Sequence, residues 1–325
     1  GGGTLVKSGI GPLYWSRTAA TFALGAGSLI DVQGGTFVGG DSANEVWTNN
    51  LSSLNIATGA IFSGVEANVR VDALTGAGTI RSGYNGAGYA NFTFGVNNGS
   101  GTFSGVLANS TNAGSFVKTG TGTQTLSGAN TYTGATNVNA GRLVYQNTYA
   151  SPSHVIASGA TLEINVDGGG RDYATTTFSG GGTFVKSGSG YLYWSASAAT
   201  FALGAGSLID VQAGTFAVGS FGNEDMTNSK ADLNVAGGAF FDSGACNTFV
   251  NALTGSGTIN LAYTNDFPRT MTIGVNNGGG TFSGALTDGG TGNGIVVKLG
   301  SGTQTLSAAN TYTGATNVSA GTLSV

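Results

Sequence analysis

The chain repeats itself over a very long period, and that property restricts its fold more than any other. Residues Gly1 to Phe37, GGGTLVKSGIGPLYWSRTAATFALGAGSLIDVQGGTF, return at Gly180 to Phe216 as GGGTFVKSGSGYLYWSASAATFALGAGSLIDVQAGTF, an offset of 179 residues. The register holds where Leu54 to Phe62 meets Leu233 to Phe241, and where FGVNNGSGTFSG meets IGVNNGGGTFSG. One inserted residue between Leu286 and Lys298 moves the offset to 180, after which Thr119 to Gly141 is nearly copied by Leu299 to Gly321. The expected organisation is block A over 1–145, a unique connector over 146–179 and block B over 180–325, stacked as one continuous solenoid.

Each block contains a shorter motif. TLVKSGIGPLYWS, SFVKTGTGTQTLS, TFVKSGSGYLYWS and IVVKLGSGTQTLS align Lys7, Lys118, Lys186 and Lys298, each followed by x-Gly-x-Gly and an alternating strand. Eight residues beyond each lysine stand Trp15, Leu126, Trp194 and Leu306. Tryptophan exchanged for leucine at one position is what a core-facing site accepts, so these four are expected to form an inward stack. Around them lie segments such as GSLIDV, GTFSGVL and GATLEINV, which read as strands of about 3 to 6 residues between Gly or Asn turns.

Composition agrees with an all-β reading. Sixty glycines against three prolines in 325 residues disfavour helices, and glycine does not fall at every third position as collagen requires. With 40% hydrophobic residues and a net charge of only −4, the chain is not of disordered type. Short strands of this spacing also suit a sandwich or barrel, but three features favour a solenoid. The duplicated block has no linker of different composition, and Asn recurs at matched positions such as Asn130/Asn310 and Asn137/Asn317. Charge is scarce, and like charges stacked about every 4.8 Å repel. At about 23 residues per turn, inward Val, Ile, Leu, Phe and Trp would line the axis.

GTGTQTLSGANTYTGATNVNAGRLVY and GSGTQTLSAANTYTGATNVSAGTLSV resemble the autotransporter-associated β-strand repeat, also called the passenger-associated transport repeat, of bacterial surface proteins. The VKSG…LYWS segments and SGATLEINV are similar to weaker members. The resemblance implies a right-handed parallel β-helix, exported and displayed outside the cell. No translocator barrel lies within these 325 residues, and the duplication is longer than the usual family repeat.

Chemistry is sparsely provided for. Catalytic β-helices need two or three carboxylates converging on one groove, whereas the tightest groupings here, Asp41/Glu45, Glu224/Asp225 and Asp167/Arg171/Asp172, do not recur between blocks. The sole histidine, His154, stands in the connector without a Ser or Asp arrangement and reads as a surface residue. Cys246, the single cysteine, reads as a small buried hydrophobe. DGGG at Asp167 to Gly170 lacks the spacing of calcium nonapeptides. The expectation is therefore no enzyme, no catalytic residue, no metal and no cofactor. No basic run exists to neutralise phosphates, which excludes nucleic acid as a partner. No stretch of about 18 apolar residues is present to span a membrane as a helix.

Two kinds of contact remain. Alternation in LYWS turns Leu13, Trp15, Leu192 and Trp194 to one face and Tyr14 and Tyr193 to the other, making these tyrosines candidate external contacts for glycans. The outermost strands, with Thr4, Leu5 and Val6 at one end and Thr322, Leu323 and Val325 at the other, are candidate subunit contacts. The expected function is structural: an extracellular bacterial surface fibre growing through strand edges, or a segment of a longer repeat chain, with the chain itself as partner. The alternative is an adhesin or autotransporter passenger that binds glycans or a cell-surface receptor through loops, notably Gly39 to Asn50 and Gly219 to Lys230.

Overall fold

The computed structural model describes residues 2–15, 20–40, 45–64, 66–84, 91–172, 177–194, 199–219, 225–244, 246–262, 268–290 and 292–325. Among them there is no helix; every named strand is short, and every strand pairing is parallel. Each element runs 3 to 5 residues, and many are followed by a glycine or Asx turn. The chain divides into two compact units, Gly1–Thr161 and Leu162–Val325, and each is a parallel β-solenoid.

In the first unit one sheet stacks Thr4–Lys7, Leu29–Val32, Ser53–Ile56, Leu74–Gly76, Gly101–Phe103, Thr123–Leu126 and Arg142–Tyr145. A second sheet runs from Val69–Val71 to Ser153–Ile156, and a third from Pro12–Tyr14 to Val106–Asn109. The turn length varies rather than staying at one value: Thr123 lies beside Arg142, while Gly76 lies beside Phe103. The second unit repeats the plan, its main sheet running from Thr161–Asn165 to Thr322–Ser324.

Alternation decides which side chains enter the core. Ile30 lies beside Leu54 and Leu54 beside Leu74, all fully buried, while Asp31, Asn55 and Thr75 occupy the outward column between them. That column is a polar ladder, with Asn55 Nδ2 donating to Asp31 Oδ1 at 2.7 Å and Thr75 Oγ1 to Asn55 Oδ1 at 3.0 Å. Asp210, Asn234 and Thr254 reproduce it in the second unit at 2.7 and 3.2 Å. Inside the first unit, rings pass contact from turn to turn: Phe22 and Trp47 stack at 4.1 Å, Phe37 and Phe62 at 5.3 Å, then Phe92, Phe116 and Tyr132 follow at 5.9, 5.8 and 4.4 Å. Each buried ring contributes roughly 1.5–3 kcal/mol.

The aligned lysines turn inward at the corners. Lys118 Nζ donates to the carbonyls of Thr119 at 2.6 Å, Gly120 at 2.8 Å and Ala140 at 3.2 Å. Lys7 makes the same set with Ser8, Gly9 and Gly34, Lys186 with Ser187, Gly188 and Ala213, and Lys298 with Leu299, Gly300 and Ala320. The geometry depends on glycine two residues after lysine, because Gly120 has φ 64° and Gly188 φ 74°, a left-handed backbone that swings the carbonyl toward the ammonium. Burial pulls Lys118 and Lys186 down to about 8, opposed by Asp72 and Asp167 respectively.

Candidate functional site

The strand Tyr191–Trp194 alternates strictly, placing Leu192 and Trp194 in the core and two tyrosines outside. Tyr191 is 49% and Tyr193 40% exposed, and their rings lie parallel, 5.5 Å between centroids with an 11° interplanar angle. Gly170 lies beside Tyr191 in the preceding strand, and a Cβ there would come within 3.0 Å of the Tyr193 ring. The glycine leaves room for that ring to settle against the backbone.

The same face continues over later turns. Thr215 links Tyr191 to Phe240, which is 46% exposed, so the two aromatics stand two strand spacings apart, about 9.6 Å. In the neighbouring column Tyr193, Ala217, Asp242 and Asn260 follow one another. Asp242 accepts from the Gly244 N–H and from Asn260 Nδ2, both at 2.9 Å. Burial pushes its carboxyl upward against the effect of these two donors. Asn260 is 7% exposed, and its Oδ1 has no hydrogen-bond partner among the described residues. Aromatic surface beside a carboxyl and a carboxamide offers both the apolar and the hydrogen-bonding complement of a sugar ring.

Block A lacks most of this face. Pro12, Ile61, Ser63 and Arg81 stand where block B has Tyr191, Phe240, Asp242 and Asn260. Tyr14, 52% exposed, has no second ring beside it at position 12. Of the residues singled out from sequence, Tyr193 therefore falls within the face and Tyr14 outside it. Tyr191, Phe240, Asp242 and Asn260 were legible only by comparing outward positions of the two blocks one by one.

The remaining sequence candidates are dispersed. Leu126, Trp194 and Leu306 are buried, while Trp15 is half-buried, edge-on to Phe22 at 5.0 Å. Thr4, Val6, Thr322 and Val325 are exposed, with Leu5 and Leu323 half-buried, and their strands form the outer ends of their units' main sheets. Parts of the two anticipated loops, residues 41–44 and 220–224, lie outside the described residues. His154 is not a surface residue: it is fully buried, with its ring 4.7 Å from Tyr149 and 5.8 Å from Tyr145. It occupies an inward place beside Thr136, and burial pulls its imidazole down to about 3. Cys246 is buried, and its thiol donates to the Asn247 carbonyl at 3.4 Å. Among the described residues no group of three or more His, Cys, Asp or Glu side chains is placed to hold a metal ion.

This architecture, a glycine-cornered parallel solenoid with an aromatic and polar outward face on its second unit, defines a class of repeat scaffold, and known proteins resemble it in part. The chain carries two passenger-associated transport repeats, over residues 116–144 and 296–325. Over its whole length it is similar to the adhesin BmaC autotransporter of Brucella suis biovar 1, at 26% identity over 419 aligned residues. The chain spans 12% of that relative's length. No solved structure gives a significant match.

Proposed function

We propose that this chain is part of the displayed passenger of a bacterial cell-surface protein and is adhesive. The solenoid is the scaffold, and the outward face of the second unit is the contact surface for an extracellular glycan. One observation carries the reading: the parallel, exposed ring pair of Tyr191 and Tyr193, with Phe240 and the Asp242–Asn260 pair on the same face. The transport repeats and the likeness to an autotransporter adhesin support display outside the cell. A glycan array probed with the soluble chain tests it. Saturable binding is expected, weakened by about 1 kcal/mol for each of Tyr191→Ala, Tyr193→Ala and Phe240→Ala. Binding unchanged in all three variants would refute the assignment of the face.

A structural filament is the second reading. Its support is the uninterrupted ladder of short parallel strands that each unit builds. Concentration-dependent fibres seen by electron microscopy would favour it, and particles of constant size at all concentrations would count against it.

A further inference from the structure

The two halves of the duplication differ in charge, and the acidic half is the one that bears the aromatic face. Leu162–Val325 holds ten acidic and five basic residues, against five and six in Gly1–Thr161. Two of those five bases, Lys186 and Lys298, are folded into corners with their ammonium groups on backbone carbonyls. Of the others, Lys230 precedes a main-sheet strand and Arg269 begins a strand of a different sheet. Asp172 and Asp242 belong to the face itself: Asp172 stands beside Tyr193, and Asp242 follows two strands on through Ala217. Arg171 is at the register place of Leu192, the opposite alternation to Asp172.

Along the unit the face reads ring, gap, ring. Tyr191 and Phe240 share one outward column, two strand spacings or about 9.6 Å apart, and the strand between them offers only Thr215 in that column and Ala217 in the next. Gly170 before Tyr191, and Thr258 and Ala285 after Phe240, are small, so the column has no wall at either end. On one flank Asp242 takes both its donors, the Gly244 N–H and Asn260 Nδ2, on Oδ1, which leaves Oδ2 to accept from a sugar hydroxyl. A terminal sugar is held by a walled pocket. An open column suits the interior of a chain.

Resting on the glycan reading above, we propose that the ligand is an uncharged, extended β-1,4-linked polysaccharide, bound along the axis of the second unit by an internal stretch of the chain. Such a chain is a flat ribbon whose alternate sugars present the same face, at a distance close to two strand spacings. The C–H faces of alternate sugars settle on Tyr191 and Phe240, whose rings supply apolar area and an electron-rich face, while the sugar between them crosses Thr215. Coiled α-linked chains lose one of the two contacts on a straight column. Acidic chains are rejected by charge: their carboxylates meet Asp172 and Asp242 on the face, and the acid excess of the whole unit repels them on approach.

Calorimetric titration of the full chain tests this with the cello-, manno- and N-acetylchito-oligosaccharides from one to six residues, with maltohexaose, and with the hexamer of β-1,4-linked mannuronate. In at least one neutral β-1,4 series, affinity is expected to rise about fivefold between dimer and trimer, the shortest chain that spans both rings. Phe240→Ala and Tyr191→Ala, both at exposed positions, should each abolish that rise and leave the dimer within about twofold. The mannuronate hexamer should bind at least about tenfold more weakly than mannohexaose or its best neutral counterpart at low salt, with the gap narrowing as salt rises and in Asp172→Asn/Asp242→Asn. No rise with length in any of the three series, or tighter binding of mannuronate or maltohexaose, would overturn the proposal. If the ring substitutions instead weaken a terminal-sugar, coiled or acidic ligand, this proposal falls and the glycan reading stands; if no glycan binds in a ring-dependent way, both fall.

Discussion

Acid should act on the first unit through a single imidazole. The folded chain refuses a proton at His154 until about pH 3, because the ring is sealed against Tyr145 and Tyr149, whereas the unfolded chain binds one near the ordinary 6.5. Between those values the unfolded state carries more protons, so stability is lost as pH falls. At pH 4.5 the ratio of the two binding polynomials is about 100, which corresponds to a loss of about 3 kcal/mol, approaching about 5 kcal/mol below pH 3. His154→Phe keeps a ring of similar reach and removes the proton site, at a packing cost of about 1 kcal/mol at neutral pH. Urea unfolding of both proteins at pH 7.0 and 4.5, with hydrogen exchange followed over 130–161, isolates the effect from the carboxylates common to both. The stability difference between the two should shift in favour of His154→Phe by about 3 kcal/mol on acidification. Identical acid sensitivity, or an imidazole resonance of the folded chain titrating near 6.5, would refute the reasoning.

Other expectations follow from the same geometry. Lys118→Met strips donors from three carbonyls and should cost roughly 2–4 kcal/mol in chemical denaturation. Because Lys118 and Lys186 sit at about 8 when folded and Tyr132 at about 12, stability should rise from pH 8 toward 10 and then fall, measurable as a maximum in melting temperature. Gln124→Leu orphans the Leu74 N–H and C=O, which the amide side chain bonds at 2.9 and 3.0 Å from 50 residues away, and should cost about 2–3 kcal/mol with lost exchange protection at Leu74. Gly105→Ala would set a Cβ 1.9 Å from the Gly78 carbonyl oxygen and should destabilise by more than 1 kcal/mol on thermal melting.

The fold was readable because its determinants are periodic. Alternation in LIDV and SLNI sorts Ile30 and Leu54 from Asp31 and Asn55, and a left-handed glycine marks many of the corners. What escaped were features set by neighbours distant in sequence. His154 has polar, unremarkable flanks, and only its register beside Thr136 makes it interior. The lysines aligned in four motifs, yet a lone charged residue gives no sign that carbonyls from two turns will enclose it. Tyr191 and Phe240 lie 49 residues apart and share a face only because Thr215 stands between them. Gln124 is polar in an alternating strand, and its backbone-like role depends on the irregular pairing near Gly101, where a side chain would strike the Leu74 carbonyl.

The lysine corners also give the molecule a direction of assembly. Two of each ammonium's bonds close locally, one and two residues along, but the third reaches 22 or 27 residues ahead into the following turn. At each of these four corners, a turn that has just formed thus holds a donor that only its successor completes. A chain that folds from its amino end would fasten each of these four turns as the next one forms. Unwinding would then require a charge-assisted bond to break at every such corner.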